Sequence, residues 1–261
     1  MKLSISNIAW KSVDDQIIYH MMKAYGYFGL ELAPTRVFPN RPYERQIEAK
    51  KWAECLQTEY GFAVSSMQSI WFGRQENMFG TKEERQALLD YTKKAIDFAE
   101  MIGCNNLVFG CPKNRNLENK KRADSAVSFF RELGDYAAVH HTVIGMEANP
   151  EIYHTNFVTD TYAALDLIEE VDSAGFLLNL DTGTMIQNQE CLDELAGRVD
   201  RISHVHISEP ELKPIQKRKL HLDLRELLEK ENYQGFISIE MGQADTKSVE
   251  TAMQYVKGVF A

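Results

Sequence analysis

The sequence predicts an α/β fold, a (β/α)8 TIM barrel, on three observations. Eight short stretches rich in aliphatic and β-branched residues recur along the 261 residues, longer amphipathic stretches separate them, and no glycine-rich phosphate turn follows any of them. Alternating strand and helix signals point to an all-parallel sheet, and eight such units in a chain of roughly 250 residues match a closed barrel. A doubly wound open sheet is the alternative. Against it, the first strand runs into Asn7-Ile8-Ala9-Trp10, with no dinucleotide or P-loop signature.

In chain order the expected strands are LSISNI (3–8), FGLELA (28–33), FAVSSM (62–67), NLVFG (106–110), TVIGME (142–147), FLLNLD (176–181), ISHVHI (202–207) and FISIEM (236–241). The helices between them are legible from caps and periodicity. Thr81-Lys82-Glu83-Glu84 is a capping box, followed by Leu88, Leu89, Tyr91, Thr92, Ala95, Ile96 and Ala99 at helical spacing until Gly103 closes the run. Residues 124–136, 158–171 and 222–229 behave similarly. Glycine turns at Gly26, Gly61, Gly103, Gly175 and Gly235 each stand just before a strand. No linker, low-complexity tract or composition shift divides residues 1–261, so a single domain is expected.

Composition narrows the function. A net charge of −9 with no concentrated basic stripe argues against nucleic acid. No run approaches the length of a membrane span, and MKLSISNIAW, with one lysine and a short apolar stretch, reads as a first strand instead of a signal peptide. Cys55, Cys104, Cys111 and Cys191 lack CxxC spacing and read as reduced thiols of a cytoplasmic protein.

Active sites of such barrels lie at the C-terminal ends of the strands. Four consecutive strands end on a polar residue: Glu147, Asp181, His206 and Glu240, separated by 34, 25 and 34 residues, about one βα unit per step. Three carboxylates and an imidazole converging on one rim would repel unless a cation sat among them. Mn²⁺, Mg²⁺ and Co²⁺ suit such an oxygen-rich set, and Zn²⁺ stays open. The plainer reading makes each acid a helix cap or solvated loop residue, and Asp181-Thr182-Gly183-Thr184 could be a turn. Four coincidences on adjacent strands favour the metal. Two residues before His206 on the same face, His204 should lie one layer deeper, as a supporting histidine.

These four residues, with the phrases VIGMEANPEIY, HVHISEP and FISIEMG and the eight-unit layout, resemble the xylose isomerase-like barrels. The resemblance runs essentially end to end. It is greatest to the sugar phosphate isomerase and epimerase branch, with tagatose and psicose 3-epimerases and hydroxypyruvate isomerase. It implies one divalent cation, usually Mn²⁺, held by Glu147, Asp181, His206 and Glu240. It also implies that Glu147 and Glu240 exchange protons beside a carbonyl through a metal-stabilised enediolate. Where many epimerase relatives carry D-x-x-H, this chain has Thr184 as the final residue, and where they tend to carry an arginine it has Ser208 to Lys213, with Glu209 at a polar position. The extra histidines that endonuclease IV-like relatives use for zinc are absent from the corresponding strand ends.

Further strand-end residues complete the expected substrate contacts: Glu31, Gln68, Trp71, Asn114, Arg115, Asn149, Tyr153, Thr184 and Glu209. Trp71 and Tyr153 read equally as packing aromatics, and Arg115 as the partner of an acid. The basic run at 213–219 reads as a solvated face or, near the seventh strand, as a phosphate contact. The expected function is a metal-dependent isomerase or epimerase of a small sugar or sugar derivative. The rivals are a dehydratase similar to inosose dehydratase and a non-catalytic sugar-binding protein. Outer helices of such barrels often pair, which keeps a homo-oligomer open.

Overall fold

The computed structural model describes residues 1–117 and 124–261. Its eight strands are β1 (Lys2–Ser6), β2 (Gly29–Leu32), β3 (Ala63–Met67), β4 (Leu107–Phe109), β5 (Ile144–Met146), β6 (Phe176–Asp181), β7 (Ile202–Ile207) and β8 (Phe236–Ile239). They follow one another around a closed barrel. Parallel pairing of Ser4 with Ser238 and Ile5 with Ile239 joins β8 to β1 and seals it. Every strand expected from the sequence is present, so the open-sheet alternative falls.

The helices differ from expectation mainly at their ends. The capping box is formed: Thr81 Oγ1 accepts from the Glu84 N–H, and the Glu84 carboxylate accepts from the Thr81 N–H, opening the helix Lys82–Met101. The helix expected from 158 starts instead at Thr161, because the Asp160 side chain accepts from the Ala163 N–H and Val158 stands at φ 55°. That expected at 222–229 extends over Lys219–Lys230. Gly26 ends the helix Asp15–Tyr25 at φ 75°, a backbone state a β-carbon disfavours. Among the described residues no helix is long and apolar enough to cross a membrane.

Alternation along each strand sorts side chains between two environments. Ile5, Leu30, Leu180, Val205, Ile207, Ile237 and Ile239 are fully buried within the apolar core shared by strands and helices. Each such side chain contributes about 1.5–3 kcal/mol on leaving water. An aromatic file of Trp71, Phe109, Phe130 and Phe176, with successive ring centroids 4.7, 4.9 and 4.8 Å apart, belongs to the same layer.

The lumen is polar. Ser4 Oγ meets Ser65 Oγ at 2.5 Å, Gln68 donates to Ser6 Oγ at 2.6 Å, and Asn106 donates to Ser66 Oγ at 2.8 Å, all buried. Many barrels fill this space with branched aliphatic residues. Here the lumen is a hydrogen-bonded stack on which the rim residues rest.

Candidate metal and active site

Glu147 directly follows β5, Asp181 ends β6, His206 is the penultimate residue of β7 and Glu240 directly follows β8. A pocket of about 230 Å³ opens above them, and Glu147, Asp181 and Glu240 line it together with Gln68, Asn149 and Tyr153. His206 has no exposed surface and does not line the pocket; it reaches the site through the two glutamates that do. Its Nδ1 stands 3.0 Å from Glu147 Oε2 and 3.3 Å from Glu240 Oε2.

Two amides hold Glu147. Asn149 donates to Oε1 and Asn179 to Oε2, each at 2.9 Å. Asn179 also lies 3.3 Å from His206 Nδ1. Sequence reading passed over Asn179, although it stands two residues before Asp181 and therefore faces the same way. It passed over Ser208 as well, two residues beyond His206.

Asp181 is turned aside from the other three. Its carboxylate caps the short helix Thr182–Asn188, accepting from the Thr184 N–H at 2.7 Å, and also accepts from the Ser208 hydroxyl. One carboxylate thus combines the cap and the rim positions weighed as alternatives from the sequence.

The cluster crowds charges of one sign around a single ring. Burial pushes the Glu240 carboxyl up to about 7, and the neighbouring charges of Glu147 and Asp181 add to the shift against the opposing pull of His206. Burial and the Glu147 charge likewise raise Asp181. For His206, burial favours the neutral ring, but the charges of Glu31 and Glu240 and bonds to Glu147 and Glu240 outweigh it and move the imidazole well above its usual value. Carboxylates crowded around one imidazole leave a deficit of positive charge that a divalent cation matches. Glu147, His206 and Glu240 bring ligand atoms within 4.8 Å of one another, and two oxygens with one nitrogen suit such an ion.

Of the expected substrate contacts, Gln68, Asn149, Tyr153 and Glu209 line the pocket. Glu209 is committed elsewhere in part, since Arg218 Nε donates to its Oε1 at 2.7 Å, Arg218 Nη2 to its Oε2, and the Gln216 N–H also to Oε1. The other five lie away from the pocket. Glu31 is buried in the lumen, 2.8 Å from His206 Nε2. Trp71 packs against Phe109 and donates its indole N–H to Thr92 Oγ1 at 2.7 Å, so it belongs to the outer core. Asn114 Nδ2 donates to the carbonyls of Arg74 and Glu76 and ties two loops together. Arg115, also fully buried, donates to the Glu147 carbonyl at 3.0 Å and to Asn149 Oδ1 at 2.8 Å. Those bonds support the acid's backbone and its amide partner, where an ion pair was the alternative. The Thr184 hydroxyl lies 2.8 Å from the Ala148 carbonyl and 2.9 Å from Asp181 Oδ2, which leaves it buried behind the cap. In the basic run, Lys213 pairs with Glu211, Arg218 with Glu209 and Lys219 with Asp223, which weakens the case for a phosphate contact there.

The chain matches the family described as xylose isomerase-like TIM barrel over residues 20–258. Among solved structures, D-psicose 3-epimerase from Clostridium cellulolyticum H10, with D-tagatose, is similar at a TM-score of 0.79 and 15% identity, covering 100% of this chain and 99% of that one. A 3-keto-D-glucoside 4-epimerase from E. coli gives 0.76 and 18%, covering 99% and 98%. A probable 3-DHS dehydratase from Bacillus anthracis gives 0.71 and 14%, covering 97% and 98%. At these identities the likeness is one of fold. No curated protein sequence matches the chain significantly.

Proposed function

Because the chain belongs to the xylose isomerase-like TIM-barrel family, we propose that it is a divalent-metal-dependent isomerase or epimerase of a small sugar or sugar derivative. The observation that carries this reading is the pairing of Glu147 and Glu240, which both line the pocket and both approach Nδ1 of the buried His206. Glu147, His206 and Glu240 would hold the ion, with Asp181 as the fourth candidate ligand. Mn²⁺ is the ion proposed. When bound, it supplies positive charge that acidifies a C–H next to a carbonyl.

The chain's own residues then move the proton. Glu240 lines the pocket beside Glu147, so both carboxylates reach the space a substrate would occupy and can take or return a proton there. Asn149 and Asn179 fix the Glu147 carboxylate, so its oxygens hold one position relative to the substrate carbon. Return of the proton to the same carbon from the opposite face inverts that carbon; return to the former carbonyl carbon, with the neighbouring hydroxyl proton passing to the carbonyl oxygen, shifts the carbonyl by one position. Gln68, Asn149 and Tyr153 offer neutral hydrogen-bonding groups to a polyol.

The test begins with metal analysis of the purified chain and of Glu240→Gln. Both are then incubated in D₂O with Mn²⁺ and a panel of ketoses, aldoses and their phosphates. Bound metal and C–H exchange into one sugar, lost at least 100-fold in the variant, is the expected result. Deuterium uptake accompanied by loss of water from the sugar would reassign the reaction to a dehydratase. Stereospecific sugar binding without exchange would leave a binding protein, and wild type that takes up no metal would remove the proposed centre.

A further inference from the structure

We propose that Glu31 is a positioning residue that fixes the tautomer of His206 and reserves its Nδ1 for the cation. The inference rests on the metal-dependent reading above and concerns a residue that touches neither the pocket nor the proposed ion. β2 and β7 are not neighbours in the barrel, so Glu31 reaches His206 across the lumen. Its Oε1 stands 2.8 Å from His206 Nε2, and its Oε2 accepts from Ser238 Oγ at 2.6 Å. His204 Nε2 lies 3.5 Å from that second oxygen. Glu31, His206 and Ser238 have no exposed surface, and His204 has 1%.

An ionised carboxylate only accepts hydrogen bonds, so the ring nitrogen facing it carries the proton. With Nε2 holding its proton against Glu31, the proton a cation would displace is the one on Nδ1, and the neutral ring then presents its lone pair from Nδ1. Nδ1 is the atom directed at Glu147 and Glu240, whose oxygens would otherwise draw the proton to themselves and close the ring to a metal. Glu31 supplies the competing acceptor, and Ser238 keeps its carboxylate from rotating away. A histidine ligand aligned by a carboxylate in this manner typically owes it 10–100-fold in metal affinity. Glu31, His204 and His206 also form a second group of potential ligand atoms within 4.8 Å. The 2.8 Å approach of Oε1 to Nε2 is a direct hydrogen bond, which a metal in that group would have to break.

The test uses the full chain labelled with ¹⁵N-histidine and loaded with diamagnetic Zn²⁺, beside Glu31→Gln and Ser238→Ala. Long-range ¹H–¹⁵N correlation spectra give the protonated nitrogen of His206, and titration calorimetry gives Mn²⁺ affinity. The expected results are a His206 protonated at Nε2 with Nδ1 metal-bound, and an affinity about 10–100-fold weaker in Glu31→Gln. A smaller loss is expected in Ser238→Ala, which keeps the test usable should Glu31→Gln fail to fold. A purely structural role would lower melting temperatures while His206 shifts and affinity stayed as in wild type, and would overturn the inference. So would protonation of Nδ1, or a second bound ion that disappears in Glu31→Gln. Wild type that binds no Mn²⁺ would defeat the underlying metal reading itself, and Glu31 would have no ion to position.

Discussion

Glycine at position 110 leaves room for the Glu147 carboxylate. A β-carbon there would come within 2.9 Å of Glu147 Oε1 and 3.4 Å of Asn149 Oδ1, so the acid or its amide partner would have to move. In Gly110→Ala the proton-transfer rate should fall about 10- to 100-fold, since small misplacements of a reacting group cost that much. Melting temperature should change little; an unaltered exchange rate would show that Glu147 needs no such fixed seat. The rim residues themselves were readable because period-two alternation puts i and i+2 on one face, as with His204 and His206. Applied to NLD, the same rule would have found Asn179. Glu31 was different: its partner lies 175 positions away across the lumen, and nothing local separates an acid that faces the pocket from one that faces a histidine beneath it.

At the scale of elements, the sequence carries most where the physics is local. Thr81 and Glu84 satisfy each other's backbone donors within one turn, and the box was visible as four letters. Thr81→Ala should cost about 1 kcal/mol of stability, measured as a lower urea midpoint with unchanged slope. An unshifted midpoint would mean that Glu84 alone maintains the helix start, through the N–H groups of residue 81 and Asn77. Strand existence was equally local, a matter of short apolar runs bounded by glycine turns. The start at Thr161 was local too, since Asp160 caps it through the Ala163 N–H, but apolar periodicity running back to Val158 masked the cap. The basic run at 213–219 illustrates the opposite case. Its charges are plain in the sequence, yet the partner of Arg218 is Glu209, at the pocket wall, nine residues earlier.

For the whole molecule, the buried charges couple folding to pH and metal, and the sign follows from two groups. Glu240 titrates near 7 in the folded chain but near the ordinary carboxylate value when unfolded. Between those pH values the unfolded chain holds fewer protons, so metal-free stability falls as pH rises through this window. His206 acts in the same direction, because its raised folded value gives stability that is lost as pH climbs through it. Glu31 acts oppositely and at the acid end: burial alone would raise its carboxyl, but His206 and His204 hold it well below its usual range, and that contribution is lost as it protonates. A divalent ion binds the deprotonated ligands and replaces the missing positive charge. Mn²⁺ should therefore raise the melting temperature more at pH 8 than at pH 5, with most of the change near neutrality. Calorimetric scans with and without Mn²⁺ across that range give the difference directly. In Glu240→Gln, which has no carboxyl to titrate, the metal-free decline should become shallower. A metal-free melting temperature that rose steadily from pH 5 to 8 would mean that the rim carboxylates are not crowded as their geometry requires.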